Sequence, residues 1–431
     1  MLLTIEKLVY GGDGLARLPA DEQGPGKAVF LPFVVEGEKV EASLVEQKRG
    51  FARGRAERIV ESSPWRVEPQ CPYFQRCGGC HYQHVSYEHQ LEIKAAILKE
   101  NLRRIAKLEL DTELTVHPSP EWSYRNRTRL KVQTKPEFAV GYYRLNSHEL
   151  QPVDQCPISS PLINQAMAAF SQMQPASWPE EIYEIEFFAN AEDTQLLAEV
   201  DCKPDIRKSA AIQVATEIKS ILPAAAGVAV HRGGGGNHAP VEQERIATVG
   251  AGELMYNTQD LSYRVSAGAF FQGNRHLVSK LVELVTQGLS GETALDLYAG
   301  VGLFSSAMAK SFAQVTAVEA SPTSHGDLLY NSPSNVKAVR ATTEQFLKTV
   351  AGELRPNLVV VDPPRNGLGE MVVRSLAGLG ANHIVYVSCD PATLCRDLAG
   401  LLGAGYRFQQ AHVVDLFPQT YHVESVFHLM R

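Results

Sequence analysis

Val387-Ser388-Cys389-Asp390-Pro391-Ala392-Thr393-Leu394 reads as a strand running straight into a helix. Asp390 fits the N-cap and Pro391 the first helical position. Cys389 then stands just outside a helix N-terminus, where the dipole favours thiolate and a nearby Asp390 charge opposes it. A thiolate in that position is a nucleophile for covalent catalysis, and an ordinary cysteine is only a few per cent ionised at pH 7. Glu424, in Thr420-Tyr421-His422-Val423-Glu424-Ser425, is a carboxylate able to take a proton, with His422 as the second candidate. A separate group, Cys71, Cys77 and Cys80, forms Cys-x5-Cys-x2-Cys with Gly78 and Gly79 allowing a tight wrap. Cys156 follows much later, in Gln155-Cys156-Pro157-Ile158. Four thiolates can hold zinc or a [4Fe–4S] cluster, and the spacing alone does not choose. Cys202 and Cys395 read as structural.

Asp296-Leu297-Tyr298-Ala299-Gly300-Val301-Gly302 ends a strand and opens a helix, with glycines that let the backbone approach a ligand. Glu319 closes the next strand, at the spacing from which a carboxylate reaches ribose hydroxyls. Ser305 stands where a dinucleotide fingerprint has its third glycine. An adenosine cofactor without a pyrophosphate needs less of that anion-binding geometry. Asp362-Pro363-Pro364-Arg365 ends a fourth strand, where ligands of open α/β sheets sit.

These residues need a scaffold, and the pattern from Leu254 to Arg431 supplies one. Strands are predicted at Ala294–Tyr298, Gln314–Glu319, Val336–Arg340, Leu358–Asp362 and Ile384–Ser388, mostly separated by helices. Two late strands, Gln409–Asp415 and Val423–Leu429, should pair as a hairpin at the end of a doubly wound sheet. Residues 1–62 alternate in short runs (Ala28–Val35, Lys39–Val45, Gly54–Val60) punctuated by glycines, which predicts a small antiparallel β-barrel. Residues 63–250 form a mixed central domain, with a helix over Tyr87–Lys107, its apolar face including Leu91, Ile97, Leu98, Leu102 and Ile105, that could pack on the catalytic domain. Strands are expected near Thr128–Thr134, Ile185–Phe188 and Gln195–Val200, and Gly233–Gly236 reads as a surface loop. The catalytic domain spans 251–431.

Two stretches could meet nucleic acid. Lys48, Arg49, Arg53, Arg55 and Arg58 surround Phe51 between two barrel strands, offering cations to phosphates and a ring to bases. Arg125, Arg127, Arg129 and Lys131 alternate along a predicted strand, as a phosphate-facing stripe or as internal ion pairs. The net charge of −7 argues against a generic nucleic-acid binder and leaves room for local basic faces. Seven cysteines, an odd count, argue against a disulfide framework. No run reaches the roughly 20 apolar residues of a membrane helix, and Met1–Tyr10 lacks the features of a signal peptide, so the expected setting is the cytoplasm.

Asp-Pro-Pro-Arg, Ser-Cys-Asp-Pro-Ala-Thr-Leu and His-Val-Glu-Ser, in that order and spacing, resemble the bacterial RNA uracil-5-methyltransferase family over nearly the whole chain. Tyr10-Gly11-Gly12-Asp13-Gly14-Leu15-Ala16-Arg17 and Pro32-Phe33-Val34-Val35-Glu36-Gly37-Glu38 are similar to the TRAM domain, an RNA-binding module. A TRAM domain with a cysteine cluster resembles the 23S rRNA branch more than the tRNA branch.

The resemblance implies a Rossmann-like class I methyltransferase domain behind an OB-like barrel and a central α+β domain holding an iron–sulfur cluster. It implies S-adenosylmethionine near Gln272 (in Phe270-Phe271-Gln272-Gly273-Asn274), Tyr298, Gly300, Glu319 and Asp362. It makes Cys389 the nucleophile and Glu424 the base, and it favours [4Fe–4S] on Cys71, Cys77, Cys80 and Cys156 over zinc. Ala299, Leu303 and Thr342 depart from the family's usual residues. The chemistry suits a thiolate: addition to uracil C6 turns the poor nucleophile C5 into an enolate-like carbon, and loss of the C5 proton then frees the enzyme. The target base must be flipped out, since both C5 and C6 are attacked. The expected partner is 23S rRNA. The T-loop of tRNA, or a non-catalytic role in RNA binding or ribosome assembly, are the alternatives, and no protein partner is expected.

Overall fold

The computed structural model describes residues 1–431 apart from 20–25, 111, 174–177, 234–243 and 351–353. Gly24 and Gly234–Gly236 of the predicted glycine turns therefore lie outside the described residues.

The catalytic sheet has eight strands in the order Val336–Arg340, Phe312–Glu319, Gly291–Leu297, Leu358–Val361, His383–Ser388, Glu424–Met430, Arg407–Val414 and Leu114–His117. The first five are parallel, and Glu424–Met430 is antiparallel to both its neighbours. Helices cover both faces, so Leu358–Val361 and the run from Ile384 to Val387 are apolar throughout. Val359 and Val361 face the layer containing Leu376 and Leu398, while Leu358 and Val360 face the layer containing Leu281 and Phe304. The strand order reverses between Gly291–Leu297 and Leu358–Val361, which opens a crevice above their carboxyl ends.

The eighth strand comes from far upstream. Leu114–His117 pairs in parallel with Arg407–Val414, and the helix Tyr87–Asn101 before it packs Leu98 into the same core as Leu376. The predicted helix thus ends early as an α-helix. A π-turn over Leu102–Ala106 and a left-handed Lys107 follow it. The wider turn rotates the register, which leaves Ile105 43% exposed instead of on the apolar face. Within the helix, Lys94 is fully buried and bonds Asp415 Oδ1 at 2.6 Å, both side chains being 0% exposed. Removing one member of a buried pair strands the other charge. Lys94→Met is expected to cost about 3–5 kcal/mol, and Lys94→Met with Asp415→Leu to recover most of it. Urea unfolding followed by circular dichroism checks both.

The central domain is a seven-stranded sheet with helices Pro161–Ser171 and Lys208–Ile221 on its apolar face. The N-terminal unit is a six-stranded curled sheet around Leu3, Ile5, Val29, Leu31, Val34 and Val40. One of its pairings departs from the antiparallel expectation. Ala28–Leu31 runs parallel to Phe51–Glu61, because the hairpin from Lys39–Gln47 returns the chain in the original direction. No helix among the described residues is long and apolar enough to cross a membrane.

Candidate active site

Antiparallel pairing aligns Ser388 with Ser425, so the next residues, Cys389 and Glu424, face each other at the carboxyl edge of the sheet. Asp390 caps the following helix, accepting from the Ala392 and Thr393 amides at 3.1 and 2.8 Å, with Pro391 in the first turn. Its other oxygen accepts from the Tyr10 hydroxyl at 3.2 Å, so the barrel docks on the helix that follows Cys389. Sequence reasoning missed this contact, since Tyr10 and Asp390 lie 380 positions apart.

The sequence alone leaves the balance at Cys389 open, between a helix terminus that favours thiolate and the Asp390 charge that opposes it. Burial pushes the Cys389 thiol up to about 12, and the carboxylates of Glu424 and Asp362 add to that, against the Arg365 guanidinium. Glu424 is buried, and its carboxyl sits well above the usual range because of burial and the Asp362 charge, again opposed by Arg365. Burial and the Asp296 charge push Asp362 up to about 7. Arg365 was part of the Asp-Pro-Pro-Arg motif, yet nothing in that run alone revealed that it would face Cys389 and Glu424 together. His422 packs against Tyr421 and Phe417, and burial depresses it to about 3. A group that weak takes protons poorly near neutrality, whereas Glu424 in its raised state is the stronger base.

The crevice beside this pair is built from the glycine turn. Tyr298, Gly300 and Gly302 all have positive φ (66°, 56° and 93°), which for Tyr298 is a conformation no sequence pattern announced. Glu319 accepts from the Gly300 amide at 2.8 Å and the Ser321 amide at 2.6 Å, which leaves carboxylate lone pairs for further donors. Ser305, in place of a third glycine, bonds buried Asp296 and ties strand to helix. The Gln272 amide lies 3.5 Å from Asp362 across the crevice. Turn, carboxylate, amide and ring suit an adenosine ligand that lacks a pyrophosphate. The Thr342 hydroxyl caps the next helix in a capping box with Gln345.

Cys71, Cys77, Cys80 and Cys156 line one cavity with Tyr142, Ile158 and Arg125. Arg125 was expected to meet RNA, but the structure turns it inward to this cavity. It precedes the strand Arg127–Gln133, so the alternation that grouped it with Arg127 does not extend to it. The rest of the stripe is neutralised. Glu186 bonds both Arg127 and Arg129, and Glu184 bonds Arg129 and Lys131 from the neighbouring strand. Arg127 forms a buried ion pair, and Arg129, with its side chain 54% exposed, pairs with both glutamates, so the stripe carries little free positive charge.

On the barrel, Phe51, Arg53, Arg55 and Arg58 lie on the strand Phe51–Glu61 itself and not in a loop, because their alternation with Ala52 and Gly54 continues the barrel's pattern. Phe51 meets Phe30 edge to face, with Lys48 and Arg53 over its ring at 5.7 and 6.0 Å. Arg49 is exposed beside them. A cleft of about 390 Å³ runs from this corner past Tyr10 and Phe33 to His81 and Tyr421.

The chain matches the model described as tRNA (Uracil-5-)-methyltransferase over residues 86–431, and the TRAM domain over residues 1–56. It is 33% identical to an uncharacterized RNA methyltransferase of Aquifex aeolicus, covering 98% of this chain and 97% of that one. It is 30% identical to the 23S rRNA (uracil(1939)-C(5))-methyltransferase RlmD of Pseudomonas entomophila, covering 98% and 92%. Its fold is similar to that of Pyrococcus abyssi tRNA (uracil-54, C5)-methyltransferase in complex with S-adenosyl-L-homocysteine, with TM-score 0.75, 24% identity and full coverage of both chains. The chain belongs to the tRNA (uracil-5-)-methyltransferase family, and is an S-adenosylmethionine-dependent RNA methyltransferase with an N-terminal TRAM domain.

Proposed function

We propose that this enzyme methylates C5 of one uridine in 23S rRNA in the cytoplasm, with Cys389 as nucleophile and Glu424 as base. The observation that carries the chemistry is the pairing of Ser388 with Ser425, which sets thiol and carboxyl face to face beside Asp362. The Cys389 sulfur, having lost its proton to solvent, adds to C6 as thiolate, and C5 would then take the methyl group as the sulfonium S–CH3 bond breaks to leave a neutral thioether. Glu424 removes the C5 proton, the C5–C6 double bond re-forms, and the C6–S bond breaks to return the thiolate. Gln272, Tyr298, Gly300, Glu319 and Asp362 would hold the cofactor or order the crevice around it. Arg49, Phe51 and Arg53 are the RNA contacts of this reading, on a barrel corner where Arg53 is exposed while it also pairs with Asp13 and Glu46.

The rRNA assignment rests on likeness to the Pseudomonas relative together with the cysteine quartet. Methyl transfer from labelled cofactor to unmodified 23S rRNA and to tRNA, in parallel, tests it. Label in rRNA alone is the expected result, and label in tRNA alone would move the enzyme to the T-loop.

The four cysteines hold a [4Fe–4S] cluster in this reading. Zinc with Zn–S bonds near 2.3 Å draws its sulfurs to within about 4 Å of each other. Among the described residues, the group whose ligand atoms approach within 4.8 Å is Glu199, Asp201 and His231, and not the cysteines. The four cysteines line one cavity, as either metal group requires, and the resemblance to the 23S rRNA branch favours the cluster. Arg125 would offset part of the cluster's negative charge. The purified protein is expected to contain iron and acid-labile sulfide in equal amounts, and Cys77→Ser to be colourless and poorly folded. A stoichiometric zinc content, or a brown and active Cys77→Ser protein, would refute this.

A further inference from the structure

The turn that carries the chain from Arg407–Val414 into Glu424 is held from four directions. Four consecutive carbonyls each accept from a different element. Leu416 accepts from the Asn274 amide at 3.1 Å, in the segment that also presents Gln272. Phe417 accepts from Lys94 at 2.9 Å, Pro418 from the Tyr124 hydroxyl at 3.0 Å, and Gln419 from the amides of His81 and Tyr82 at 2.9 Å each. His81 directly follows Cys80. A buried loop must satisfy its carbonyls somewhere, and here each is used to fix the loop to another part of the molecule.

Gln419 is the centre of the arrangement. It is 1% exposed and has φ of 67°, a left-handed conformation that an ordinary residue keeps only when its surroundings enforce it. Its amide nitrogen donates to Gln90 Oε1 at 2.9 Å, and its side-chain oxygen accepts from Gln90 Nε2 at 3.0 Å. Its side-chain nitrogen donates to Glu121 at 3.1 Å. Gln90 in turn holds the carbonyls of Tyr82 and Val85. Both Gln419 and Gln90 therefore bind the cysteine segment, and the left-handed turn sends the chain onward through Tyr421 and His422 to Glu424.

We propose that Gln419 is a positioning residue: it transmits the conformation of the cysteine segment to Glu424, and so governs proton removal from C5 more than attack on C6. The proposal rests on Glu424 being the base. Cys389 follows a strand paired with that of Glu424 and precedes the Asp390-capped helix, and among the described residues none of the hydrogen bonds of Gln419 reaches either element of Cys389. Disturbing Gln419 should leave the adduct-forming half of the reaction and slow the half that releases the enzyme.

The two halves can be read separately. RNA carrying 5-fluorouridine forms the C6 adduct and accepts the methyl group, but it has no C5 proton to lose, so the complex persists whatever the state of the base. The holoenzyme and Gln419→Gly are compared on ordinary and 5-fluorouridine 23S rRNA transcripts. Glycine tolerates the left-handed backbone and deletes only the bonds to Gln90 Nε2 and Glu121. Turnover on ordinary RNA is expected to fall by roughly 10- to 100-fold, as for misplaced catalytic groups generally. Trapping on 5-fluorouridine RNA should stay within about threefold, and covalent complex with ordinary RNA should build up. If Gln419→Gly does not fold, Gln90→Asn shortens the amide that holds both the backbone N–H and the side chain of Gln419, and is read in the same way. Unchanged turnover, or equal loss of trapping and turnover, would overturn the proposal. Failure of the unaltered enzyme to trap 5-fluorouridine RNA would instead overturn the covalent mechanism beneath it.

Discussion

Cys389→Ala is expected to lower kcat/KM for methyl transfer by at least about 10⁴-fold and to abolish covalent complex with RNA, since loss of a nucleophile removes the whole covalent route. Cofactor binding should be unchanged, because the crevice is built by other residues. The thiol's environment adds a pH dependence. With the thiol pushed up to about 12 by burial and by Glu424 and Asp362, the free enzyme at pH 7 holds only ~10⁻⁵ of its Cys389 as thiolate. A raised thiol pKa disfavours the charged, reactive form at every pH below it. Reactivity should therefore climb about tenfold per pH unit between pH 6 and pH 9. Iodoacetamide alkylation of the free enzyme measures this without RNA. Arg365 is the cation that opposes the shift, so Arg365→Gln should slow alkylation further, by about tenfold for each unit of added pKa. A flat profile from pH 6 would mean that the thiolate forms before RNA arrives.

What the sequence could show depended on how local the cause was. Asp390-Pro391 after an apolar strand is a complete helix-start signal within three residues, and the structure places the cap there. Leu358–Val361 and His383–Ser388 were legible because burial on both faces makes them nearly continuously apolar. The upstream strand Leu114–His117 was not, because its place at the edge of the catalytic sheet depends on a partner some 300 positions later. Arg127, Arg129 and Lys131 illustrate a different limit. Alternation fixes that they share a face, but the glutamates that neutralise them lie on a strand more than 50 residues away, at Glu184 and Glu186. Gln419 carried no signal at all. Its meaning comes from Gln90, 329 positions earlier, and from a positive φ that glutamine does not advertise. Residues with a proposed chemical role carried a signal in their type and spacing. Those that hold them in place needed the fold.

Glu424→Gln should separate the two halves of the reaction most sharply. The amide keeps the size of the carboxyl but cannot take the C5 proton. Thiol addition and methyl transfer precede that step, so one methyl group per enzyme should transfer and the RNA should then remain attached through Cys389. Steady turnover should drop by roughly 10²–10⁴-fold, the range of general base catalysis. Loss of the carboxylate also removes a charge that raises the Cys389 thiol, so adduct formation should be faster than in the unaltered enzyme. The same logic fixes the sign of the pH effect. The Glu424 carboxyl is raised well above its usual range, and it accepts a proton only when ionised, so release slows as pH falls through its pKa. Covalent complex should accumulate in the unaltered enzyme at low pH and in Glu424→Gln at all pH values. Denaturing gels with labelled RNA show both. Full turnover by Glu424→Gln, or its failure to form any complex while Cys389 still alkylates, would remove Glu424 from the role of base and leave the proton to another acceptor in the crevice, with Asp362 the carboxylate nearest in charge.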